Sequence, residues 1–163
     1  MSFRDPRTAA IAAFLREIGL EVRSGALAEA TALPGIDIER GALVIDEDRL
    51  LCPGDLLHEA GHLAVVPAAR RAAFHHDVGN DPAEEMTAIA WSYAAALHLN
   101  LDPALVFHAD GYRGGGESIL DSFRLGSGIG VPMLGYLGLT HAGPAPRPPG
   151  AQPFPAMIRW LRP

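Results

Sequence analysis

Apolar residues recur at helical spacing in three stretches of this chain, with one dense apolar run between the first two. Near the N-terminus, Ile11, Phe14, Leu15 and Ile18 share one helix face. Asp5-Pro6 supplies an N-cap and first turn, and Gly19 a stop. The run Gly41-Ala42-Leu43-Val44-Ile45-Asp46 has the apolar, β-branched character of a strand, and Asp46-Glu47-Asp48 follows as a polar turn. A second helix of about a dozen residues begins near Pro53 and Asp55. It carries Leu56, Leu57, Ala60, Leu63 and Ala64 on one face and ends at Pro67. A third starts at Asp81-Pro82 and runs through Glu84 and Glu85 to Leu99, rich in alanine. A short helix is predicted after Gly114-Gly115-Gly116.

These elements predict an α+β fold. A small twisted antiparallel sheet, from segments near 20–23, 36–39 and 42–46, should pack on the central helix, with the Ala-rich helix against it. Residues 1–142 read as one domain. Residues 143–163 hold 7 of the 14 prolines and read as an extended strap, whose Met157, Ile158, Trp160 and Leu161 should dock on that domain.

The central helix also carries chemistry. His58-Glu59-Ala60-Gly61-His62 is an HExxH pattern. Two histidines four apart lie one turn above each other and can grip one Zn²⁺. The glutamate between them sits beside the metal, where it can take a proton from water. Catalytic zinc usually has three protein ligands and an open position. The third must come from further along the chain, because no Gly and third His follow His62 at metzincin spacing. Glu84 and Glu85, in the first turn of an alanine-rich helix that can lie close to its neighbour, are the first candidates. Glu117, in Glu117-Ser118-Ile119-Leu120-Asp121, is a competing one. His75, His76 and Asp77 form another polar cluster, expected to be solvated, while His98, His108 and His141 stand alone in sequence. Tyr112 and His108 are candidates to hydrogen-bond a developing oxyanion.

Charge and composition narrow the functions. Net charge is -6 with no basic run, which argues against nucleic acid as a partner. All 13 basic residues are arginine, which excludes a Walker lysine and Schiff-base chemistry. The single Cys52 excludes an intramolecular disulfide and reads as a small core residue. The glycine-rich stretches at 111–116 and 126–130 lack the spacing and preceding strand of a nucleotide loop. No membrane-spanning run and no targeting segment is legible, so a cytoplasmic location is expected.

An HExxH helix followed by a glutamate on a second helix resembles the gluzincin metallopeptidases, and over residues 36–99 is most similar to the compact bacterial ImmA/IrrE-type zincins. The resemblance implies His58 and His62 as zinc ligands, Glu59 as general base and Glu85 as third ligand. The Glu-x-x-x-Asp found at the third ligand in larger gluzincins is not matched, since Ala88 and Ile89 stand four residues after Glu84 and Glu85. Two functions are expected to compete: a zinc-dependent hydrolase, most readily a peptidase, and a non-catalytic metal-stabilised module that binds a protein or small ligand.

Overall fold

A computed structural model describes residues 3–163. Helix α1 (Pro6–Glu17) opens where the Asp5 carboxylate accepts the backbone N–H groups of Arg7 and Thr8, both at 2.9 Å. Strands β1 (Val22–Ser24), β2 (Ile36–Glu39) and β3 (Ala42–Ile45) follow. Next come α2 (Asp55–Val65), the single turn α3 (Ala68–Arg71) and the long α4 (Pro82–His98). Helices α5 (Gly116–Arg124) and α6 (Val131–Tyr136) complete an α+β fold. No helix among the described residues is long and apolar enough to cross a membrane.

The sheet is mixed, which corrects the antiparallel expectation. β3 lies between the other two strands; β2 pairs with it antiparallel and β1 pairs with it parallel, Val22 opposite Leu43. The hairpin between β2 and β3 turns on Arg40 and Gly41, both at positive φ (52° and 81°), as a two-residue turn matching strand twist requires. The segment 25–35 carries the chain from β1 past β3 to its far edge, so β1 runs in the same direction as β3. Every residue of β3 is buried, which explains its unbroken apolar run.

Helices α2 and α4 form the main helix–helix contact. Leu56, Leu57, Ala60, Leu63 and Ala64 of α2 are wholly buried, as are Trp91 and most of the alanines of α4. The C-terminal third contains more helix than its glycines suggest. α6 was not anticipated, because Val131-Pro132 opens it directly behind Gly130 with no capping side chain.

The Pro-rich segment has no helix or strand, yet it is fastened to the central helix. The last carbonyls of α2 have no partners within the helix. Arg71 Nε donates to Leu63 O at 2.7 Å, and the backbone N–H of Arg162 donates to Ala64 O at 2.8 Å. Arg71 Nη2 also reaches Arg162 O at 2.7 Å. Trp91 Nε1 donates to Trp160 O at 2.8 Å, and the Trp160 ring stands edge-on to Phe14 and Trp91, with centroids 5.0 and 5.6 Å away. Two aromatic pairs and these bonds contribute on the order of 3 kcal/mol. Deleting residues 143–163 is therefore expected to lower the melting temperature by about 10 °C. An unchanged calorimetric transition on truncation, together with Trp160 emission in the full chain at the wavelength of a solvated indole, would contradict that role.

Candidate functional site

Four residues of helical spacing stack His58 over His62, with their Nε2 atoms 3.2 Å apart. Glu85 enters from the first turn of α4. Its carboxylate oxygens lie 3.6 Å from His58 Nε2 and 3.1 Å from His62 Nε2. Glycine at 61 makes this approach possible. A Cβ there would stand 2.8 Å from the carbonyl oxygen of Ala88 and 3.2 Å from its Cα. Without a side chain at that point, the backbone of α4 lies close enough for a carboxylate to reach both imidazoles.

In the His58–His62–Glu85 triangle the two Nε2 atoms are 3.2 Å apart, and separate Glu85 oxygens face them, Oε1 at 3.6 Å from His58 and Oε2 at 3.1 Å from His62, spacings near those of ligands on a small tetrahedral cation. Bonds of about 2.0–2.1 Å to nitrogen and oxygen place such ligands roughly 3.3–3.4 Å from one another. Two imidazoles and a carboxylate are also a donor set of the zinc class. Glu59 completes the cluster: its carboxylate and the ring nitrogens of His58 and His62 lie within 4.8 Å of one another.

Electrostatics divide these groups into roles. Burial, helped by the adjacent His62, pulls His58 down to about 4, so at neutral pH it is an uncharged imidazole with a free lone pair. Burial also lowers His62, but the Glu85 hydrogen bond and the charges of Glu59, Glu85 and Glu84 outweigh it and raise the net value. The bond to His62 holds Glu85 below the ordinary carboxylate range. Burial raises the Glu59 carboxyl, and the neighbouring Glu85, Asp55 and Asp37 charges add to that against the opposing His62. A carboxyl raised in this way, beside two imidazoles, holds a proton more readily than a solvated one.

Tyr112 reaches this site from the glycine-rich loop ahead of α5. Its hydroxyl is 2.9 Å from His58 Nδ1, and its ring meets the His58 ring edge-on. Tyr112 and Arg113 both adopt φ of 54°, a left-handed conformation that costs a non-glycine residue on the order of 1–2 kcal/mol. The bond to His58 and ring packing on Phe107 at 5.5 Å hold the loop in that state. Burial and nearby carboxylates keep the phenol protonated. His108 does not face the triangle. Its Nε2 donates to Asp55 Oδ1 at 2.8 Å, one helical turn before His58.

The remaining acidic and histidine candidates lie elsewhere. Glu84 is held by the Arg70 guanidinium at the mouth of α4. Glu117 is exposed on α5, where Asp121 pairs with Arg124 at 3.3 Å. His75 and His76 are exposed, with His76 Nδ1 2.7 Å from Asp37 Oδ2. His98 packs near Phe14 and Trp160, and His141 lines a different cavity. Sequence reasoning missed the Tyr112–His58 and Asp55–His108 contacts, because each joins α2 to a loop more than fifty positions away. Asp55 alone gave a signal, standing three residues before His58 on the same helix.

A cleft of 200 Å³ opens beside Glu59, walled by Leu33, Ile36, Ile38 and the loop at 76–79. A larger cavity of 460 Å³, lined by Tyr93, Phe123, Phe154 and Arg147, contains none of the triangle's residues. The chain matches no protein-family model, no curated protein and no solved structure in comparisons with each.

The Gly61 contact can be tested directly. On helix propensity alone, Gly61→Ala should stabilise α2 by about 1 kcal/mol. The clash with the Ala88 backbone opposes this by about 1–3 kcal/mol, so a net loss is expected. As α4 moves away, Glu85 supports His62 less and the His62 pKa should fall, which an NMR titration reads. A stabilised variant with an unshifted His62 would show that the close approach does not depend on Gly61.

Proposed function

We propose that the chain is a zinc-dependent hydrolase, acting on peptides, with His58, His62 and Glu85 as the metal's ligands and Glu59 as general base. The carrying observation is one Glu85 carboxylate that faces both imidazole nitrogens through its two oxygens, with a raised glutamate beside them. The same arrangement supports a minimal zincin-like architecture: one helix bears both histidines and the next helix supplies the acid. Zinc at such a site supplies Lewis acidity and brings the pKa of a coordinated water toward neutrality.

The residues then act as follows. Glu59 accepts a proton from the attacking water and returns it to the leaving amine, a role its raised carboxyl favours. His58 must present its Nε2 lone pair to the cluster, so Nδ1 carries the hydrogen and donates it to the Tyr112 oxygen. Tyr112 is thus a positioning residue for His58. Substrate lies in the cleft between Glu59 and β2, whose lining combines Leu33, Ile36 and Ile38 with Asp37, His76 and Asp77. One observation favours the second reading, a metal-stabilised binding module: the larger cavity, with its aromatic lining, lies away from Glu59.

Metal analysis of protein purified without chelator should find at least one zinc per chain, with one equivalent lost when His58 and His62 are replaced. Glu59→Gln should retain the zinc and lose about 10²–10⁴-fold in peptide hydrolysis. A wild-type chain that holds zinc but cleaves no peptide in a diverse library would favour the binding module, and one that holds no zinc would end both readings. Tyr112→Phe keeps the ring packing but removes the acceptor for His58 Nδ1–H. It should weaken zinc binding by about 10–100-fold and lower metal-free stability by about 1 kcal/mol, the loss of one hydrogen bond. Equal affinity in competition with a chelator would remove Tyr112 from this role.

A further inference from the structure

A second group of metal-binding character lies at the start of α2, outside the triangle. Cys52 precedes the helix, Asp55 is its first residue, and His108 comes from the loop that leads to Tyr112. One sulfur, one carboxylate oxygen and one imidazole nitrogen from these residues lie within 4.8 Å of one another, and all three side chains are partly buried. The proposed reaction uses none of them.

Two features distinguish this group from a simple loop contact. The His108 Nε2–Asp55 bond leaves Nδ1 with an unused lone pair, and Nδ1 is the buried side-chain polar atom without a hydrogen-bond partner among the described residues. Such atoms are rare and call for an explanation. The Cys52 thiol also sits in a negative field: burial, then the charges of Asp55 and Asp110, hold its proton on sulfur. A thiol so placed is a poor nucleophile. A divalent cation reverses that balance, because it neutralises the carboxylates and deprotonates a coordinating thiol outright. Gly111 leaves space for the imidazole, since a Cβ there would stand 3.2 Å from His108 Cε1.

We propose that Cys52, Asp55 and His108 form a second divalent-metal site, selective for thiophilic cations of the zinc and cobalt class. Sulfur, imidazole and carboxylate together are a donor set for such metals, whereas magnesium and calcium call for oxygen alone. Binding releases the Cys52 proton to solvent. It ties the loop bearing Tyr112 to the first turn of α2 through His108 Nδ1, in addition to the Nε2–Asp55 hydrogen bond. The site does not depend on the His58–His62–Glu85 assignment, which contains no sulfur.

Cobalt distinguishes the two sites. Titrating the full chain with Co²⁺ should produce a near-ultraviolet thiolate-to-cobalt charge-transfer band, for which Cys52 is the sole possible source. The band should persist in a His58→Ala, His62→Ala double variant and vanish in Cys52→Ser. In His108→Gln, which keeps the thiol, the cobalt concentration needed to develop it should rise at least about tenfold. Circular dichroism of each variant checks the fold. If saturating cobalt gives no such band in the wild-type chain, or if His108→Gln leaves its titration unchanged, the second site is overturned. A wild-type chain that shows the band but loses no metal when His58 and His62 are replaced would leave this site standing and remove the first.

Discussion

The structure depends on how closely α4 lies against α2. Any side chain at position 61 would meet the Ala88 backbone, so glycine there sets the spacing of the pair. That spacing brings a carboxylate from one helix within 3.1 Å of a histidine on the other. Leu57, Ala60, Leu63 and Ala64 of α2 are buried in one core with Ala90, Ala95 and Ala96 of α4. Packing and site geometry share one cause, and a change that relaxes the helix pair loosens both.

The other elements fix α2 at its two ends. At the N-terminal end, Asp55 holds His108 and, one turn on, His58 meets Tyr112, so a strained glycine-rich loop lies against the helix. At the C-terminal end, Arg71 and the backbone of the Pro-rich segment take up the free carbonyls. A proline-rich chain has few N–H groups to offer and forms neither helix nor central strand. In this segment the N–H of Arg162 and the carbonyl oxygens of Trp160 and Arg162 become partners for groups that α2, α4 and Arg71 would otherwise leave unpaired.

Charge within the triangle follows from unequal burial and unequal company. His58 is buried beside another imidazole and stays neutral. His62 has a carboxylate partner and is raised. Glu59 is raised mainly by burial, while Glu85, more open to solvent, stays ionised against His62. Neutral imidazole, ionised carboxylate and a carboxyl that gives up its proton reluctantly are three states of two chemistries. The Glu59 carboxylate lies within 4.8 Å of both imidazoles, and Glu85 oxygens lie within 3.6 Å of them.

The element order was largely legible from sequence. Asp5-Pro6 and Asp81-Pro82 mark helix starts by local capping chemistry, Gly19 marks a stop, and the buried run at 42–45 marks a strand. The HExxH spacing likewise places His58 and His62 on one face, because the helical repeat alone decides it. What sequence could not decide was anything that depends on separation in space. Glu84 and Glu85 are neighbours with equal claims until Arg70 takes the first and the helix crossing gives the second to the histidines. The parallel pairing of β1 with β3 follows from the path of a loop, which has no periodicity to read. The partners of Asp55 and His58 come from a glycine-rich loop whose backbone conformation is set by the contacts it makes, so His108 and Tyr112 acquire their roles only in the folded chain. Local capping and periodicity reach no further than a few residues, and the site is assembled from groups that only packing brings within 4 Å.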